Sequence, residues 1–176
     1  MTSKNRQFSA TESLRTELAG LYGEYYDKIA RYASIHIGNR TDAEDIAGEV
    51  FLKAIESLGS YEKRGIPMQA WLFKIAHNLV VDYLRRMSKR KTIDIDSVTV
   101  RSNESPEAIA EINIEVERVK KAMEQLTQEQ REVLSLRFFG ELTSKETAAI
   151  MGKSDGAVRE MQRAATSKLR TLLVTD

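Results

Sequence analysis

Cysteine does not occur among the 176 residues, which excludes disulfides and thiolate metal sites. Histidine occurs only at positions 36 and 77, far apart and without a metal-ligand pattern such as His-Glu-x-x-His. No glycine loop of the phosphate-cradling kind is present, and no serine stands in a Gly-x-Ser-x-Gly elbow. The adjacent carboxylates Glu44 and Asp45 fall side by side on a predicted surface helix rather than in an acid/base pair. An enzyme is therefore not expected, and neither is a metal, a cofactor or a small-molecule substrate. No apolar run approaches the ~20 residues that cross a bilayer. Residues Met1 to Ala10 lack the apolar core of a secretory signal. These absences predict a cytoplasmic protein.

Excess charge of one sign is also missing, since the net charge is only +1. The distribution is uneven, however. Arg85, Arg86, Lys89, Arg90 and Lys91 form a basic cluster, and acids dominate from Asp94 to Glu115. The balance turns basic again through Lys153, Arg159, Arg163, Lys168 and Arg170. Counterion release rewards local clusters rather than global charge, so two separated phosphate-contacting places are indicated. Solvated helix faces are the plain alternative.

Two prolines and nine glycines punctuate a chain otherwise rich in helical periodicity. Leu18, Leu21, Tyr25, Ile29, Tyr32 and Ala33 predict a helix over Leu14–Ile37, stopped by Gly38-Asn39. Thr41 and Glu44 have capping-box spacing and open a second helix that buries Ala43, Ile46, Ala47, Val50, Ala54 and Leu58. A loop, Gly59–Pro67, precedes a third helix from Met68 to about Met87. The pattern then dissolves from Ser88 to about Ala110; the one short strand candidate is Ile93–Val100. Beyond it come four further helices. Ile112, Val116, Val119, Met123 and Leu126 mark the first of them. Capping boxes at Thr127/Gln130 and Thr143/Glu146 open the next two, the former leading to Val133, Leu134, Leu136 and Phe138. Ser154 caps the last, which carries Val158, Met161, Ala165, Leu169 and Leu172 inward. The expected fold class is all-α: a tail over 1–13, a helical domain over 14–90, a flexible linker over 91–112 and a second helical domain over 113–176.

Residues 144–170 have helix-turn-helix spacing. Ala148 and Ala149 permit close crossing, Gly152 turns the chain, and Val158 packs back. Such a second helix lies in the major groove. Its outward residues include Asp155, Arg159, Gln162, Arg163 and Thr166, of which Arg and Gln are the types that reach guanine and adenine edges. Lys168 and Arg170 suit phosphates. An ordinary helical hairpin would share the spacing.

The run Asp42-Ala43-Glu44-Asp45-Ile46-Ala47-Gly48-Glu49-Val50-Phe51-Leu52-Lys53-Ala54 and the run Trp71 to Arg86 resemble the extracytoplasmic-function (ECF, group IV) sigma factors of the sigma-70 family. Leu126 to Leu134 and the helix-turn-helix resemble that family's second domain, and the motifs fall in the family's order over roughly 14–173. The resemblance implies promoter-specific initiation with core RNA polymerase. It assigns the clamp helices of the polymerase's largest subunit to Asp42, Asp45, Glu49, Phe51 and Lys53. The −10 element goes to Lys63, Arg64, Trp71, Lys74, Asn78, Asp82, Arg85 and Arg86, a set whose ring, amide and cations suit an unstacked base and its backbone. The −35 element goes to Ser154, Asp155, Arg159, Gln162, Arg163 and Lys168. Many members carry a basic, histidine-rich stretch in the last helix where Glu160, Met161, Gln162, Ala164 and Ala165 stand here; the Met161-Gln162 pair is similar to a subgroup variant. The resemblance also implies an anti-sigma partner, which would hold the protein inactive, in some cases at the membrane.

The 22 residues of the linker reach roughly 73–79 Å when fully extended and average about 25–28 Å as a coil. Two turns of B-form DNA span about 70 Å. The free domains are thus expected to collapse together until polymerase stretches them apart. Two other readings stand beside this one: a polymerase-independent helix-turn-helix regulator, which leaves 42–86 unexplained, and a structural helical adaptor. The chain ends six residues after Arg170, and no appended regulatory domain is expected.

Overall fold

A computed structural model describes residues 3–61, 66–93 and 110–174. Among these residues the fold is all-α, with no strand. The helices are α1 (Ser3–Ile37), α2 (Arg40–Ser57), α3 (Met68–Ile93), α4 (Ala110–Glu124), α5 (Gln128–Phe138), α6 (Ser144–Met151) and α7 (Asp155–Val174), with a 3-10 turn at Leu58–Ser60.

The tail expected over 1–13 is helical from Ser3, because neither proline nor glycine interrupts the chain before Leu14. Likewise α3 continues past Met87 to Ile93. At its other end the linker expected over 91–112 is helical from Ala110, where α4 begins, and the rest of it, with the strand candidate beyond Ile93, falls on 94–109, outside the described residues. Gly38 takes φ +73°, ending α1. The next residue, Asn39, is extended and its side-chain oxygen accepts from the Asp42 amide at 3.0 Å, so Asn39 rather than Thr41 caps α2. The boxes at Thr127/Gln130 and Thr143/Glu146 are both formed. Ser154 Oγ accepts from the Ala157 amide at 3.2 Å. Such caps contribute about 0.5–2 kcal/mol each.

α1, α2 and α3 pack mutually around Tyr25, Ile29, Tyr32, Ala33, Val50, Leu72 and Phe73, all buried. The second unit packs α5, α6 and α7 around Val133, Ala148 and Val158, while α4 lies on α7. The two units touch: α1 packs against α5, and α3 against α6. Leu136, Leu142 and Ile150 of the second unit belong to the same apolar cluster as the first unit's core. The inward position expected of Phe138 is not taken. Phe138 is 65% exposed, and Phe139, one residue further round as the helix ends, packs inward instead.

Candidate nucleic-acid interface

α6, the turn at Gly152 and α7 form the expected helix-turn-helix. Gly152 is left-handed at φ 64°, ψ 35°, a conformation that disfavours a Cβ. Val158, fully buried, pins α7 to Ala148 of α6 and Val133 of α5. Lys153 adds an ion pair to Glu129 at 2.7 Å.

The outer face of α7 is a groove lined by Arg159, Gln162, Arg163, Thr166, Ser167 and Arg170. Three cations and no carboxylate line it, which suits a phosphate-bearing ligand. The cations are held locally. Arg159 pairs with Asp155 at 2.6 Å, and Arg163 makes a two-point contact with Glu160 at 2.5 and 3.2 Å. A hydrogen bond from Ser144, then the Arg159 guanidinium, holds the Asp155 carboxyl below its usual range. Arg159 Nε also donates to Ser144 Oγ at 3.4 Å, which links the two helices of the motif. Ser154 is occupied as the α7 cap. Lys168 turns away from the groove and donates to the Gln125 carbonyl at 2.6 Å, beyond the C-terminus of α4. Ser167 and the supporting Arg137 were not singled out from sequence.

In the first unit Asp45, Glu49 and Lys53 are exposed on α2, whereas Asp42 is half-buried and accepts from the Tyr83 hydroxyl at 2.5 Å. Burial and that bond push the Tyr83 hydroxyl up to about 12. Phe51 is 4% exposed and packs edge-on against Tyr22, with ring centroids 4.9 Å apart. Its ring is therefore core in this conformation. The apolar surface near it is made by Tyr22, Leu52 and Ile55, which line a cleft with Arg15 and Leu18. Leu52 and Ile55 are 62% and 60% exposed. Their outward positions beside Asp45 and Glu49 on one helix were the available signal.

On α3, Lys74, Asn78, Asp82, Arg85 and Arg86 are exposed. Asn78 and Asp82 share a shallow groove with Lys53 of α2, so residues assigned to two different partners meet there. Asp82 pairs with Arg85 at 2.9 Å. Trp71 is half-buried against Tyr61, at 4.8 Å between centroids, and the Tyr61 hydroxyl donates to the Ile66 carbonyl at 2.8 Å. Lys63 and Arg64 lie outside the described residues.

Residues 21–90 match the family Sigma-70 region 2, and residues 122–171 match Sigma-70, region 4. The chain is 33% identical over 152 residues to the ECF RNA polymerase sigma factor SigD of Mycobacterium tuberculosis, covering 83% of this chain and 72% of that protein. The chain is an ECF sigma factor of the sigma-70 family. It is also 33% identical over 159 residues to the ECF RNA polymerase sigma factor BldN of Streptomyces coelicolor, of which it spans 60% while 89% of this chain is covered. The fold is similar to that of the Bartonella quintana sigma factor RpoE, solved in complex with the anti-sigma factor NepR. There the TM-score is 0.73 at 22% identity, over 91% of this chain and 98% of that one.

In this sigma factor the region 2 and region 4 units meet around one buried carboxylate. Glu132 of α5, 7% exposed, accepts from the Tyr32 hydroxyl at 2.7 Å. His77 Nδ1 of α3 lies 2.8 Å from the same oxygen. His36 Nε2 lies 3.2 Å from the other oxygen, within ion-pairing distance but out of line for a hydrogen bond. Burial raises the carboxyl, but the bond with His77, the nearby His36 and the Tyr32 bond together outweigh it and hold Glu132 below its usual range. Burial keeps His36 low despite Glu132. At the rim, Glu141 pairs with Lys28 of α1 at 2.8 Å and accepts from the Tyr25 hydroxyl at 3.3 Å. Glu141 sits at φ 54°, a left-handed conformation uncommon for a residue with a side chain.

Proposed function

We propose that this sigma factor binds core RNA polymerase and directs initiation at promoters carrying −10 and −35 elements, acting in the cytoplasm by binding rather than catalysis. The cationic groove of α7, on a formed helix-turn-helix within the matched region 4, carries this reading. In it Arg159, Gln162 and Arg163 meet base edges, with Arg170 suited to phosphate. Region 2 supplies the other two surfaces. Asp45, Glu49 and Lys53, with Leu52 and Ile55, form the polymerase face. Trp71, Lys74, Asn78, Asp82, Arg85 and Arg86 form the −10 face, joined by Lys63 and Arg64 from the sequence ahead of α3. Asp42 and Phe51 support the polymerase face from within; Ser154 and Asp155 shape the start of α7, and Lys168 braces its far end.

In the docked arrangement, α3 neighbours α6 and α6 neighbours α7. With helix axes about 8–10 Å apart, the two reading helices sit roughly 20 Å from each other, against about 70 Å for two turns of DNA. Binding to polymerase must therefore separate the units, and an anti-sigma partner would act by preventing that. The relatives' names, and a structural neighbour solved with its anti-sigma factor, support both partners.

A pull-down with core polymerase tests the first step. Asp45→Arg with Glu49→Lys should abolish association while helicity stays intact; retained association removes the assignment of α2 as the polymerase face.

A further inference from the structure

Arg137, near the end of α5, reaches across to the middle of α7. Its Nε donates to Gln162 Oε1 at 2.9 Å, and its Nη1 donates to the Leu142 carbonyl. Gln162 in turn lines the cationic groove. A glutamine amide can in principle face a ligand with either end, but a guanidinium has donors only. Turning Gln162 over would set its NH2 against the Arg137 donors and lose the bond. The carbonyl is therefore held inward and the NH2 is the end left for the groove. We propose that Arg137 is a positioning residue that fixes Gln162 as a hydrogen-bond donor, so that α7 selects guanine at the step Gln162 reaches. Guanine shows two acceptors, O6 and N7, in the major groove; adenine's N6 donor needs the glutamine carbonyl in the usual two-point pairing.

This inference rests on α7 being the −35 reader, and the test separates the two. Holoenzyme reconstituted with core polymerase is given a promoter library randomised across the upstream element. Gln162→Ala should erase a guanine preference of about 5- to 150-fold at one position. Arg137→Ala should erase the same preference at the same position, and the double variant should lose no more than either single one. Gln162→Glu keeps the Arg137 partner but removes the donor, and should move the preference toward cytosine, whose N4 donates. It carries the test if Arg137→Ala does not fold. Guanine selection that survives Arg137→Ala, or adenine selection lost in Gln162→Ala, overturns the proposal. Upstream selection unmoved by Arg159→Ala, Arg163→Ala and Gln162→Ala together overturns the reading of α7 itself.

The contact between the two units carries a second inference independently. Two carboxylates of region 4, Glu132 and Glu141, dock on Tyr32, His36, Lys28 and Tyr25 of α1 and His77 of α3. Such a polar set, partly in strained backbone, is specific in a way that passive collapse on a slack tether is not. We infer that it is a latch that keeps the free sigma factor closed and lowers its affinity for polymerase by the fraction held shut. The chain has no cysteine, so Ser13→Cys and Lys121→Cys admit two fluorescent labels at defined exposed sites. Glu141→Lys, facing Lys28, should reduce energy transfer and tighten polymerase binding several-fold. Adding Lys28→Glu should restore both. Unchanged transfer in Glu141→Lys, or opening that the second change does not reverse, contradicts the latch.

Discussion

The Tyr32 hydroxyl donates to the Glu132 carboxylate at 2.7 Å across 100 positions of chain, and the bond is buried. It joins the region 2 and region 4 units at a point where Tyr32 is fully buried and Glu132 nearly so. A buried hydrogen bond to a charged acceptor contributes about 1.5–3 kcal/mol. Tyr32→Phe, which keeps the ring and its edge-on contact with Phe73, should lower unfolding stability by about that much in urea titration. A double-mutant cycle with Glu132→Gln should show coupling, whereas strict additivity would place the two side chains apart.

Acid should loosen the same contact. Glu132 and His36 both lie below their unperturbed values of 4.5 and 6.5, so each favours the folded, docked state above its unfolded value and loses that contribution as pH falls. The groups facing Glu132 are Tyr32 and His36 from α1 and His77 from α3, while Arg131 of α5 acts on His36 and opposes its protonation. The decline should start near pH 6.5 with His36 and continue through the Glu132 titration. Thermal midpoints measured between pH 7.5 and 4.5 should fall, and less so in His36→Asn. A midpoint that rises toward pH 5 would reverse the sign.

Two glycines separate steric from conformational demands. A Cβ at Gly140 would lie 2.6 Å from the Leu136 carbonyl oxygen and 2.9 Å from the Leu142 side chain, whereas at Gly152 it would meet open space. Gly152→Ala should therefore lose only the left-handed penalty, about 1–2 kcal/mol. Gly140→Ala must shift backbone in the turn that carries Glu141 and should destabilise more. Differential scanning calorimetry of the two variants gives the order.

Arg163 is bound by Glu160 in the free protein, so the carboxylate competes with DNA for it. Arg159→Ala and Arg163→Ala should each weaken upstream-element recognition by the holoenzyme, by about 1–3 kcal/mol where the contact is bidentate. Glu160→Ala should act oppositely and strengthen it. Transcription from templates with intact and scrambled upstream elements measures all three.

The local devices were legible because each is written within four residues. The boxes at Thr127 and Thr143, the turn at Gly152 and the inward Val158 follow from neighbours in sequence. Asn39 displaced Thr41 as a cap because the positive φ of Gly38 fixes where α1 stops, which periodicity alone leaves loose by a residue or two. Phe51 and Lys168 read as surface contacts, yet one ring packs edge-on against Tyr22 and one ammonium meets the Gln125 carbonyl just past the end of α4. The Glu132 cluster was not legible at all. Tyr32, His36, His77 and Glu132 follow no short motif, and only the docking of two units brings them together. Sequence without that contact leaves the two histidines without a role.

Transcription in vitro on a random-promoter library, with core polymerase and this chain as the only added factor, tests the central claim most directly. The account predicts RNA chains that start at defined positions downstream of two recovered elements, about two helical turns apart, with no comparable selection of DNA by the free chain. Undirected starts, or equally selective DNA binding without polymerase, would contradict it.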